Sequence, residues 1–94
     1  MTRAKVYENQ LMICTLIDVY PKMTSPKALA RTTGMSVQSI RGMIHKMSNR
    51  CLLSEELYDK ETCYFFADSQ DKRRTLIFMQ ERIQLLKESE NVHS

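Results

Sequence analysis

The chain has 94 residues, 43% of them apolar and 27% charged, with a formal net charge of +3. That length fits one domain near the lower end of what a single core stabilises, burying roughly 60–65% of its surface, so pairing with a second copy would help. No apolar run approaches the roughly 20 residues of a membrane span, and MTRAKVYENQ lacks the apolar core of a secretory signal, so a cytoplasmic protein is expected.

In chain order, residues 6–20 read as a first helix, with Val6, Ile13, Leu16, Ile17 and Tyr20 on one stripe. Leu11, Met12 and Val19 widen the band, and Pro21 ends it. Ser25 followed by Pro26 is a helix start, with serine as N-cap and proline at the first helical position. This second helix, about 26–33, buries Leu29 and Ala30 and stops at Gly34. Ser36 caps a third, with Met35 and Ile40 as a hydrophobic staple and a buried stripe of Val37, Ile40, Met43 or Ile44, and Met47 out to about Asn49.

After Leu52-Leu53 the period changes. Residues 52–58 and 62–67 read as two short strands joined by the polar DKET, a hairpin whose turn lacks glycine. Asp68 or Ser69 caps a last helix, about 69–89, where Leu76, Met79, Ile83 and Leu86 recur at helical spacing with Phe78 and Leu85 on a flank. The predicted order is helix, helix–turn–helix, hairpin, helix: mostly α with one small β-hairpin.

Ala30, Gly34, Val37 and Ile40 have the spacing of two helices crossing at a tight turn. Ala30 allows the close approach, Gly34 the left-handed turn, and Val37 and Ile40 the inner face. Ser36, Gln38, Ser39, Arg41, Gly42, His45 and Lys46 then point outward. That set suits a major groove, since Gln pairs with adenine, Arg with guanine and Ser with either. Gly42 costs the helix ~1 kcal/mol relative to alanine, which makes sense if the backbone lies against DNA, or alternatively against another helix. The capped N-termini at Ser25 and Ser36, with Lys27, Arg31 and Thr32 or Thr33, suit phosphates.

Charge is patterned to match. Residues 1–53 carry eight Lys/Arg against Glu8 and Asp18, a net +6. Residues 54–68 carry Lys60 against Glu55, Glu56, Asp59, Glu61 and Asp68, a net −4. A basic body bears an acidic insert.

At these residues the sequence resembles a winged helix–turn–helix domain, and the MarR-type regulators in particular. Within them it looks most like the small staphylococcal accessory regulator branch, over about residues 10–89. The segment LLSEELYDKETCYFFADSQDKRRTLIFMQERIQLLKE carries most of the likeness. Leu52 and Leu53 fall in the place of a leucine-rich strand, Asp59-Lys60-Glu61-Thr62 in that of the wing tip, Cys63 to Ala67 in an apolar strand, and 69–89 in a long terminal helix. The resemblance implies a homodimeric, sequence-specific regulator of transcription that binds double-stranded DNA. One domain would span residues 1–94, with the helix–turn–helix at about 25–49, the wing at 52–67 and a dimerisation helix at 69–89. Recognition helix 36–49 would enter the major groove and the wing the adjacent minor groove, with Lys60 at the wing tip.

Glu61 departs from the pattern, standing where the family has arginine. A carboxylate is repelled by a narrow minor groove that attracts arginine. The wing is therefore expected either to be silent in DNA binding or to face a protein partner. The chain also begins closer to its first helix than typical members do, leaving dimerisation to the first and last helices. Leu11, Met12, Leu76, Phe78, Met79, Ile83 and Leu86 are the expected dimer face, because they exceed what one stripe of a small core needs.

Nothing points to catalysis. His45 and His93 are the only histidines, glycine occurs twice, and Glu55-Glu56-Asp59-Glu61 lacks calcium-loop spacing. Cys14, Cys51 and Cys63 are widely spaced with no CxxC, which fits small apolar side chains in a reduced compartment, Cys51 beside Arg50 being the best placed for redox chemistry. No enzyme activity, metal or cofactor is expected. Two other readings use the same features: a winged-helix protein–protein interaction module, and a DNA-binding accessory factor in replication or partition.

Overall fold

The computed structural model describes residues 2–47 and 50–92. Its elements are α1 (Arg3–Leu16), α2 (Pro26–Thr33), α3 (Val37–Met47), β1 (Leu53–Tyr58), β2 (Glu61–Phe66) and α4 (Ser69–Val92). The fold is mostly helical with one antiparallel hairpin, in the predicted order.

Both ends of α1 differ from the expected 6–20. Thr2 caps it three residues early, its hydroxyl accepting from the Lys5 amide at 3.2 Å. The helix stops at Leu16, and Ile17 is already extended. The reason is β2: the Phe66 amide donates to the Asp18 carbonyl at 3.0 Å, and the Tyr20 amide donates to the Phe66 carbonyl at 2.8 Å. Thr24 and Tyr64 exchange both bonds at 2.8 Å, so the segment after α1 touches the second edge of β2 at two isolated bridges, parallel at Val19 and antiparallel at Thr24. A helix reaching Tyr20 would have kept the Tyr20 amide for the Leu16 carbonyl. Tyr20 accordingly leaves the buried stripe and is exposed, its ring 5.6 Å from that of Phe65. Lys72 closes the shortened helix, donating to the carbonyls of Thr15 and Ile17 at 3.0 and 2.7 Å, a cation at a helix C-terminus.

The second helix has its predicted bounds. Ser25 Oγ accepts from the Ala28 amide at 3.1 Å, and Gly34 adopts φ +76 while its amide donates to Ala30 O at 2.9 Å. A Cβ on Gly34 would meet nothing within 4 Å, so its conformation rather than lack of space calls for glycine. Ser36 Oγ accepts from the Ser39 amide at 3.1 Å and opens α3, whose Ile40, Ile44 and Met47 are buried. The predicted extension of this helix through Ser48 and Asn49 lies outside the described residues.

The strands pair from Leu53↔Phe66 to Tyr58↔Glu61, one residue off the expected 52–58 and 62–67. The turn is therefore only Asp59-Lys60, at φ +50 and +65, the backbone of a type I′ turn made without glycine. Asp68 Oδ1 accepts from the Asp71 amide at 2.8 Å and caps α4, which runs three residues past the predicted 89.

The core gathers Ile13, Cys14, Ile17, Leu29, Ile40, Ile44, Met47, Cys51, Phe66 and Met79. α4 lies antiparallel along α1, since Lys72 meets its end and Lys87 pairs with Glu8 at 2.9 Å. This packing corrects the expected dimer face. Met79 and Ile83 are buried within the protomer and offer a partner almost nothing. Leu11, Leu76 and Phe78 are half-buried against the same core, and Leu86 is half-buried. Among the described residues, the large apolar side chains left exposed on these two helices are Met12, Ile77 and Leu85.

Candidate nucleic-acid interface

The spacing of α3 divides it cleanly. Ile40, Ile44 and Met47 are buried, while Ser36, Gln38, Ser39, Arg41, Gly42, His45 and Lys46 are all exposed. At 3.6 residues per turn the residues from 38 to 46 in that set span an arc of roughly 160°, with Gln38 and Gly42 near its middle. Between residues 25 and 47 stand Lys27, Arg31, Arg41 and Lys46 and no carboxylate. A Cβ on Gly42 would meet nothing within 4 Å. Close packing against another helix is thus not why this position is glycine.

The two flanks of that arc meet different neighbours. On one, Arg41 and His45 join Lys27 of α2 and Lys60, Glu61, Thr62 and Tyr64 of the hairpin around a single groove. On the other, Ser39, Gly42 and Lys46 line a cleft with Val6, Asn9 and Gln10 of α1. Lys27 and Arg31 flank a shallow concavity with Ala30 and Val37. The Ser36 hydroxyl, beyond capping α3, donates to Ser39 Oγ at 2.9 Å. Thr32 and Thr33 turn their hydroxyls back onto the carbonyls of Ala28 and Leu29.

The hairpin is electrostatically different. It carries Glu55, Glu56, Asp59 and Glu61 against the single Lys60 at its tip. Glu61 forms an ion pair with Lys27 at 2.8 Å, so one cation of the basic surface already has a carboxylate. The pairing joins residues 34 apart in sequence, and nothing local to either signals it. Tyr64 shares the groove. Burial and the Glu55 carboxylate push its phenol up, while nearby Arg41 opposes them. Leu57 and Tyr58 on the same hairpin are 70% and 63% exposed.

All three thiols are buried. The Cys14 S–H donates to the Met47 sulfur at 3.8 Å, and the neighbouring Cys51 thiol together with burial pushes the Cys14 thiol well up. Cys14, with Arg50 assisting, holds Cys51 below the usual thiol range. Burial raises Cys63. Among the described residues no group of three or more His, Cys, Asp or Glu side chains is placed to hold a metal ion, and no helix is long and apolar enough to cross a membrane. No protein-family model matches this sequence, and no curated protein is detectably similar to it.

Proposed function

We propose that this chain is a winged helix–turn–helix regulator of transcription of the MarR type, acting in the cytoplasm as a homodimer on double-stranded DNA. The observation that carries the reading is the outer face of α3. Seven polar or glycine positions face solvent, and no acidic residue occurs anywhere in the two helices or the turn between them. Gln38 and Arg41 supply base-reading chemistry, Gly42 a low point for close approach, and Ser36, Lys46 and Arg31 phosphate contacts. Neither a catalytic step nor a cofactor enters this account.

Two-fold pairing through Met12, Ile77 and Leu85 would set two copies of α3 about one DNA turn apart, ~34 Å, on a pseudo-palindrome. Selection of bound duplexes from a random pool tests both points. The reading expects an enriched motif with two inverted half-sites centred roughly 10 base pairs apart. A pool that stays unenriched after selection would contradict it.

The exposed Leu57 and Tyr58 on an acidic hairpin favour a second reading, a winged-helix module that docks another protein. Such a module has no need of duplex binding, so the same selection separates the two.

A further inference from the structure

Arg3, Arg50 and Arg82, far apart in sequence, line one pocket of about 300 Å³ together with Tyr7 and Leu86. It forms where the first turns of α1, the segment following α3 and the middle of α4 meet. Three guanidinium groups facing one concavity repel each other, and such a cluster is usually interleaved with carboxylates. Here it is not. The ion pairs among the described residues are Lys27–Glu61 and Lys87–Glu8, and neither includes these arginines. Glu8, next in sequence to Tyr7, is committed to Lys87, which also lowers its pKa.

Aromatic rings hold the cluster instead. Arg50 lies 5.8 Å above the ring of Tyr7 and donates Nη1–H to its hydroxyl, and Arg82 lies 5.5 Å from the ring of Phe78. A ring orients a guanidinium without neutralising it and leaves most of its five N–H donors open. The first turn of α1 adds the positive end of a helix dipole and holds no acidic residue.

We propose that this pocket binds a small, multiply charged phosphate compound such as pyrophosphate or a phosphomonoester. Paired guanidinium N–H groups match two oxygens of a phosphate, and three of them offset two or more negative charges. The volume is at the low end of small-ligand sites, and Leu86 is the only aliphatic wall among the described residues, so a bulky organic body is disfavoured. The pocket shares no residue with the outer face of α3, and its occupancy does not depend on DNA binding.

Titration of the isotopically labelled full chain with pyrophosphate at fixed ionic strength, followed by NMR, tests this. Saturable shifts are expected at Arg3, Tyr7, Arg50 and Arg82, with affinity falling about tenfold or more in Arg50→Gln/Arg82→Gln at an unchanged circular dichroism spectrum. Arg82→Lys keeps the charge and the helix but loses the fork, and is expected to weaken binding by at least about threefold. No saturation, equal binding by Arg82→Lys, or shifts confined to α3 would each overturn the proposal. So would a loss of duplex affinity in the double variant when the wild type takes up no pyrophosphate, which would make the cluster a contact for the DNA backbone.

Discussion

The helix pair α2–α3 and the β1–β2 hairpin sit on either side of one groove and carry opposite charge. Residues 25–47 hold four Lys/Arg and no carboxylate, whereas residues 53–66 hold Glu55, Glu56, Asp59 and Glu61 against Lys60 alone. The outer-arc residues of the first surface are exposed, and the second reaches across and takes Lys27 into an ion pair. Two parts of one fold can therefore have unequal shares in binding a polyanion. The hairpin enters the core through Phe66 and holds the segment after α1 through the backbone of Tyr64 and Phe66, and it offers a polyanion little attraction of its own.

Removing the hairpin's anchor tests its place in the core and carries the largest effect. Phe66 is fully buried, and its backbone holds the residues after α1. Phe66→Ala is expected to cost about 3–5 kcal/mol in urea denaturation, a large fraction of the stability of so small a domain. A loss under 1 kcal/mol would mean that the hairpin is an appendage. Next comes the helix itself. Arg41→Ala should weaken binding to a selected duplex by ~1–3 kcal/mol and relax preference at one base position. Equal discrimination by variant and wild type between selected and scrambled duplexes would remove Arg41 from readout.

The contrast can also be reversed. Glu61→Arg releases Lys27 and replaces a repelled carboxylate, so duplex binding should strengthen by about 1 kcal/mol. Unchanged or weaker binding would take the hairpin out of the DNA interface. The smallest effect is expected at the tip. Lys60→Gly relieves a positive φ in the type I′ turn and should stabilise the fold by about 0.5–1 kcal/mol. Among four carboxylates its charge contributes little, and duplex affinity should change by less than about twofold. A larger loss of affinity would show the tip meeting phosphate after all.

Local signals made α2 legible to the residue: Ser25-Pro26 at its start and Gly34 at its end act within one turn of chain. The same held for the cap of α3 and for the hairpin as an element, though Asp59-Lys60 gave no glycine by which to name the turn. The end of α1 was not legible. Ile17 and Val19 continue a helical period, but the backbone of Asp18 and Tyr20 is claimed by Phe66, almost fifty residues away. An apolar stripe likewise does not say whether it meets its own core or a copy, and for Met79 and Ile83 the answer was α1 and the core. The exposed face of α3 follows from periodicity alone. The Lys27–Glu61 pair and the arginine pocket join residues that only folding brings together, so no stretch of sequence announces either.

The salt dependence of affinity for a selected duplex tests the central claim most directly. With four or more phosphates contacted at about −0.9 each, log Kobs should fall against log salt with a slope of roughly −3.6 or steeper. A flat line, or no duplex binding even at low salt, would contradict the assignment of α3 to the major groove of DNA.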